Sequence, residues 1–128
     1  MNAAGQSYAT EPFAAGTAKA EVWLWIAQRA SAAVLALCVL AHLATVIYAV
    51  HHGLSGAAIL GRTRGNTLGL AFYTLYVLAI AVHAPIGLRT LCQEWLAWRG
   101  ASLDWTIGAV ALGLFVFGLR AGWAVFVG

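Results

Sequence analysis

His83, Pro85, Gly87 and Arg89 stand together in otherwise apolar sequence. Lipid solvates neither an ionisable side chain nor an unmade backbone hydrogen bond, so a histidine in such surroundings reads as a functional group. It would bind a metal, carry a proton or hydrogen-bond between helices. Pro85 has no amide hydrogen for the carbonyl of Ala81 and is expected to kink a helix near His83. Gly87, one turn from His83, leaves that face without a side chain, so a flat group bound by His83 would lie close to the backbone. Arg89 follows roughly 9 Å along the helix at 1.5 Å per residue. That spacing suits a cofactor whose centre meets an imidazole and whose edge carries carboxylates.

A second polar group, Gln28, Arg29 and Ser31, lies early in another apolar run that contains Trp23 and Trp25. Tryptophan favours the headgroup level, and an arginine just inside it either snorkels outward or holds an anion or carbonyl. Both readings of Arg29 stand on the residues alone. Ser31 is small enough for helices to approach closely. His42, roughly 20 Å beyond Arg29 at 1.5 Å per residue, reads as a haem ligand, a proton-path group or an interhelix hydrogen-bonding residue. His51 and His52 close the run as interfacial polar groups.

The elements that must carry these groups are membrane helices. Of the 128 residues 62% are hydrophobic and 9% charged, with a mean hydropathy of +0.84, far more apolar than a soluble domain. Apolar runs at 22–50, 67–91 and 105–127 each exceed the roughly 20 residues that cross a bilayer as a helix. The fold class is therefore all-α, an integral membrane three-helix bundle, with residues 1–20 as an N-terminal tail and 21–128 as a single transmembrane domain. Asn66 or Thr67 is expected to cap the second span and Asp104 the third, and residues 53–66 to form a loop. Gly108, Gly113, Gly118 and Gly122 suit close helix contact in the third span. The first run starts too far into the chain, and is too long, for a signal peptide.

Alternation of the spans brings Arg29 and Arg89 to one side, with Trp23, Trp25, Trp95, Trp98, Trp105 and all four acids. That side reads as a docking face, and Lys19, Arg29, Arg89 and Arg99 against Arg62, Arg64 and Arg120 place it in the cytoplasm. A net charge of +3 arises from few charges, which flank the membrane and form no nucleic-acid-binding patch. Arg62 and Arg64 read as solvated residues or lipid-phosphate contacts. No P-loop or zinc spacing occurs, and no residue pair is set for covalent or acid–base catalysis. Cys38 and Cys92 form no C-x-x-C-H, which excludes c-type haem attachment; both read as small apolar fillers. Two arginines near one interface with a histidine deeper suit haem propionates and an axial imidazole. Arg29 with its polar neighbours suits a quinone carbonyl equally.

His83-x-x-x-Gly87-Leu88-Arg89, followed by Glu94, resembles the second-helix signature of the cytochrome b membrane-anchor subunit of succinate dehydrogenase and fumarate reductase. Gln28-Arg29-Ala30-Ser31-Ala32 is similar to that family's first-helix motif H-R-x-[ST]-G, with Gln28 in place of its histidine and Ala32 in place of its glycine. The resemblance implies that His83 is an axial ligand of haem b iron, that Arg29 and Arg89 lie near haem propionates or the quinone site, and that Ser31 lies near the quinone pocket. Trp25 stands where some relatives place a quinone-binding serine. The resemblance further implies an iron–sulfur subunit on the tryptophan-rich face, a flavoprotein subunit carrying the dicarboxylate chemistry, and the cytoplasmic membrane of a bacterium. The opposite axial ligand would come from a second membrane-anchor subunit, because His42 lies roughly 10 Å from the level of His83 by helical rise. His42 is then kept for a second haem or a proton path.

Overall fold

A computed structural model describes the backbone of residues 12–128 and side chains from Ala18 onward. Four helices follow one another: α1 Pro12–His52, α2 Gly56–Thr63, α3 Thr67–Trp95 and α4 Ala101–Val127. The three long helices, α1, α3 and α4, are long and apolar enough to cross a membrane, and hardly any of their most apolar stretches is buried within the chain. Their outer faces are therefore surfaces for lipid or for other membrane helices.

The helix ends differ from the sequence expectations in instructive ways. The first helix already includes Pro12, inside the segment expected to be a tail, and alanines, strong helix formers, follow it. Residues 1–11 lie outside the described residues. Asn66 caps α3 as expected, its Oδ1 accepting from the Gly69 amide at 2.9 Å. Asp104 does not cap α4: the helix starts three residues earlier with Gly100 as its N-cap at φ 98°, a backbone conformation that glycine adopts without strain. Asp104 lies within the first turn instead, where a negative charge meets the positive end of the helix dipole.

Part of the expected 53–66 loop is the helix α2, whose N-cap Ser55 accepts from the Ala58 amide at 3.2 Å. None of its residues is buried. The two arginines at its end, Arg62 half-buried and Arg64 exposed, are tied back to main-chain carbonyls. Arg62 donates from Nη2 to the carbonyls of His52 (3.0 Å) and Gly53 (3.3 Å) and lies over the Tyr48 ring. Arg64 donates from Nε to the carbonyl of Val127 at 3.1 Å, and the Gly65 amide donates to that of Phe126 at 3.0 Å. Carbonyls at the C-terminal ends of α1 and α4 thus gain cationic or amide partners, where the helix dipole is negative.

Within the membrane layer α3 is the middle helix, with α1 and α4 each packed against it and scarcely against one another. Burial is sparse: Cys92, Leu103 and Ile107 form one apolar cluster between α3 and α4, and Cys38 and Ala79 are buried elsewhere. Both cysteines are free and buried. Of the four α4 glycines, Gly118 alone approaches a neighbouring helix; a Cβ there would meet Val77 Cγ1 at 2.6 Å and Cγ2 at 2.9 Å, while one at Gly108, Gly113 or Gly122 meets open space. Valine is stiff about χ1 and cannot swing away. Gly118→Ala is therefore expected to destabilise the α3–α4 contact by about 1–3 kcal/mol, as overpacking does, and Gly113→Ala to change little. The midpoint of denaturant-induced unfolding in detergent micelles checks the pair.

Candidate functional site

The polar residues of α1 and α3 meet where the two helices pack antiparallel near the start of α1 and the end of α3. Ser31 is buried. Its Oγ donates to the carbonyl of Ala27 at 2.6 Å, with that of Gln28 also near at 3.1 Å. A serine hydroxyl has one proton and two lone pairs. With the proton turned to the helix's own carbonyl, the free lone pair faces His83, whose Nδ1 lies 3.4 Å from Ser31 Oγ and 3.4 Å from the Gln28 carbonyl oxygen. Both neighbours of Nδ1 are acceptors, so the network assigns the ring proton to Nδ1 and leaves the lone pair on Nε2. Among the described residues nothing hydrogen-bonds to Nε2. Metal-binding histidines commonly have one nitrogen tied by its proton to an oxygen and the other free to coordinate.

Beside this pair opens a cleft of about 670 Å³, with Trp25, Gln28 and Arg29 of α1 on one wall and Ile86, Gly87 and Arg89 of α3 on the other. The Arg29 guanidinium stacks over the Trp25 ring, 5.2 Å from its centroid, an attraction between cation and ring quadrupole. Trp25 is itself exposed, so the stacked pair forms the outer lip of the cleft. Its lining joins Arg29 and Arg89, the carboxylates of Glu21 and Glu94, the amides of Gln28 and Gln93 and aliphatic side chains, a partly apolar wall with convergent polar groups that suits a flat molecule with polar oxygens at its edge.

Arg89 is spoken for more fully than sequence suggested. Its Nε donates to Asp104 Oδ1 at 3.2 Å, and its Nη1 lies 3.5 Å from Glu21 Oε1. One guanidinium therefore joins α3 to α1 and to α4, with both carboxylates largely exposed. Exposed ion pairs contribute about 0–1 kcal/mol each, so the tie orients helix ends more than it stabilises them. A carboxylate-edged ligand would reach Arg89 only by sharing it with these two acids.

Gly87 also differs from expectation. The space left by its absent side chain is taken by the Gln28 amide, since a Cβ at Gly87 would come within 3.2 Å of Gln28 Nε2. The glycine makes room for a side chain of α1, and it also lines the cleft. Gln28, to which the sequence assigned no role beyond standing in place of a histidine, has one in the structure: it lines the cleft, its carbonyl faces His83, and its Oε1 is buried with no hydrogen-bond partner. Its position within an apolar run, beside Arg29, was the available signal.

His42 is not part of this cluster. It is half-buried between α1 and α3 with its ring edge-on to Tyr73 at 6.1 Å and stacked with Tyr76 at 6.4 Å. Tyr76 and Tyr73 precede His83 by 7 and 10 residues, which is roughly 10–15 Å along the helix. Imidazole–metal bonds are about 2 Å long, so His42 and His83 do not share one metal. Among the described residues no group of three or more histidine, cysteine or acidic side chains forms a metal site.

Comparison with known proteins supplies the family. No curated protein and no solved structure matches the chain. The family model described as the succinate dehydrogenase/fumarate reductase transmembrane subunit matches residues 10–121, a stretch that takes in both polar motifs and nearly all of the three spans. On that match, and with three membrane helices to carry it, the chain belongs to the succinate dehydrogenase/fumarate reductase transmembrane subunit family.

Proposed function

We propose that this chain is the membrane subunit that binds haem b and helps form the quinone site in a succinate:quinone oxidoreductase or fumarate reductase. Electrons pass between an iron–sulfur subunit on the tryptophan-rich face and quinone in the membrane. The observation that carries the reading is the contact of His83 Nδ1 with Ser31 Oγ and the Gln28 carbonyl across α1 and α3. It fixes the imidazole and leaves Nε2 for iron. Haem b, when bound, supplies a one-electron store between the iron–sulfur subunit and quinone.

This chain's residues do the remaining work. His83, oriented through Ser31, would hold the haem iron. Arg29, held over Trp25, donates to a quinone carbonyl and favours the negative charge that reduction places there. Trp25 and the aliphatic wall of the cleft cover the flat ring. Arg89 supports the site by tying α1, α3 and α4 at the docking face, and its remaining positive field favours propionates at the cleft edge. Gly87 gives Gln28 its place. His42, outside the cleft, serves a second haem or a proton path. The dicarboxylate chemistry belongs to a flavoprotein subunit, and a second membrane-anchor subunit would supply a further histidine to the haem. The setting is the cytoplasmic membrane of a bacterium, with the N-terminus in the cytoplasm.

Purification of the native complex tests the whole reading. A flavoprotein and an iron–sulfur protein are expected to copurify with the chain, and dithionite or succinate to elicit a b-type spectrum. Copurification without haem absorbance would reduce the chain to a haem-free anchor. Isolation without either partner would make it a membrane scaffold.

A further inference from the structure

The side-chain amide of Gln28 lines the cleft with its oxygen unmet. Its Oε1 is buried and without a partner, while its Nε2 occupies the space over Gly87. A buried acceptor without a donor is destabilising, so this group gains by meeting one. The torsion that aims a glutamine amide is broad and two-fold, so it turns toward the cleft at little cost and without moving α1. Trp25 and Arg29 line the same cleft.

The chemistry of the amide differs from that of its neighbour. Arginine only donates, whereas a side-chain amide carries two N–H donors and an acceptor oxygen on one uncharged plane. A quinone presents a carbonyl, which accepts; a quinol presents a hydroxyl, which donates. We propose that Gln28 is a ligand-binding residue of this cleft that serves both redox states of the quinone, donating from Nε2 to the quinone carbonyl and accepting at Oε1 from the quinol hydroxyl. The proposal rests on the quinone reading given above and adds an acceptor for the quinol hydroxyl proton, which Arg29, a donor only, does not supply.

The test uses the purified complex and equilibrium dialysis of two radiolabelled probes, a short-chain benzoquinone and a short-chain naphthoquinone, each in its oxidised and reduced form. Gln28→Leu is expected to loosen both forms of the bound probe by about three- to tenfold, the effect of one neutral hydrogen bond. Gln28→His, with a donor and an acceptor on one ring, restores most of the affinity. Arg29→Leu loosens the oxidised form more than the reduced one. Where leucine disturbs assembly, Gln28→Met supplies an unbranched apolar side chain for the same measurement. Wild-type constants in Gln28→Leu beside a loosened Arg29→Leu overturn the role of Gln28 and leave the quinone reading standing. Loosening of the oxidised form alone overturns the service of both states. Failure of the wild-type complex to bind either probe overturns the quinone reading, and the proposal with it.

Discussion

Replacing His83 with alanine is expected to abolish the b-type absorbance of the purified complex while its subunits remain assembled. The side chain is half-buried between α1 and α3 and supports neither of the apolar contacts that hold α3 to α4. Its loss removes a ligand without removing a packing element. Ser31→Ala is expected to act on the same readout more weakly. Removing a partner that orients a metal-bound imidazole costs about 10–100-fold in affinity, so haem would become loosely held and partly lost on dilution. His42→Ala is expected to leave this haem in place, because its ring is roughly 10–15 Å along the helix from His83. Optical spectra and haem-to-protein ratios of the three variants check the ordering; an undiminished b-type spectrum in His83→Ala would remove the haem assignment.

Arg29→Leu is the second large effect. A charge-assisted hydrogen bond is worth about 1.5–3 kcal/mol, and 1.4 kcal/mol corresponds to about tenfold. Loss of Arg29 should therefore lower kcat/KM for quinone by about 10–100-fold. Electron transfer from succinate to a soluble dye that accepts electrons at the iron–sulfur subunit should be unchanged. Arg29→Lys should recover only part of the loss, since an ammonium lacks the planar fork and stacks less well on Trp25. Steady-state assays with quinone and with the dye separate a quinone-site role from an anchoring one. Equal activity of wild type and Arg29→Leu toward quinone would leave this arginine a headgroup anchor.

The large features of the molecule were legible because they depend on local composition. Three apolar runs longer than a bilayer can only be satisfied as helices, and alternate crossing already brings Arg29 and Arg89 to one side. The Asn66 cap follows from a polar residue ahead of an apolar run. What stayed hidden depends on which side chain meets which. Asp104 looked like a cap because its own sequence suits one; Gly100 starts the helix and frees Asp104 for Arg89, a partner 15 residues away. Gly87 looked like room for a ligand, and only the packing of α1 on α3 assigns that room to Gln28. The α4 glycines show the same limit, since spacing alone does not tell that Gly118 meets Val77 while a side chain at Gly108, Gly113 or Gly122 would find open space.

The two ends of the helix assembly are fastened by different chemistry. At the Arg89 end the three spans are joined by one guanidinium between two exposed carboxylates. At the other end the connection between α1 and α3 is held to α4 by a backbone amide at Gly65 and by Arg64 on a main-chain carbonyl. Dissolved salt screens attraction between exposed charges over a Debye length of about 8 Å at physiological ionic strength, but it hardly affects bonds to backbone carbonyls. The assembly is thus asymmetric toward its ionic surroundings: counterions weaken the tie at the Arg89 end, where the cleft lies, while the buried Cys92, Leu103 and Ile107 keep α3 on α4 there.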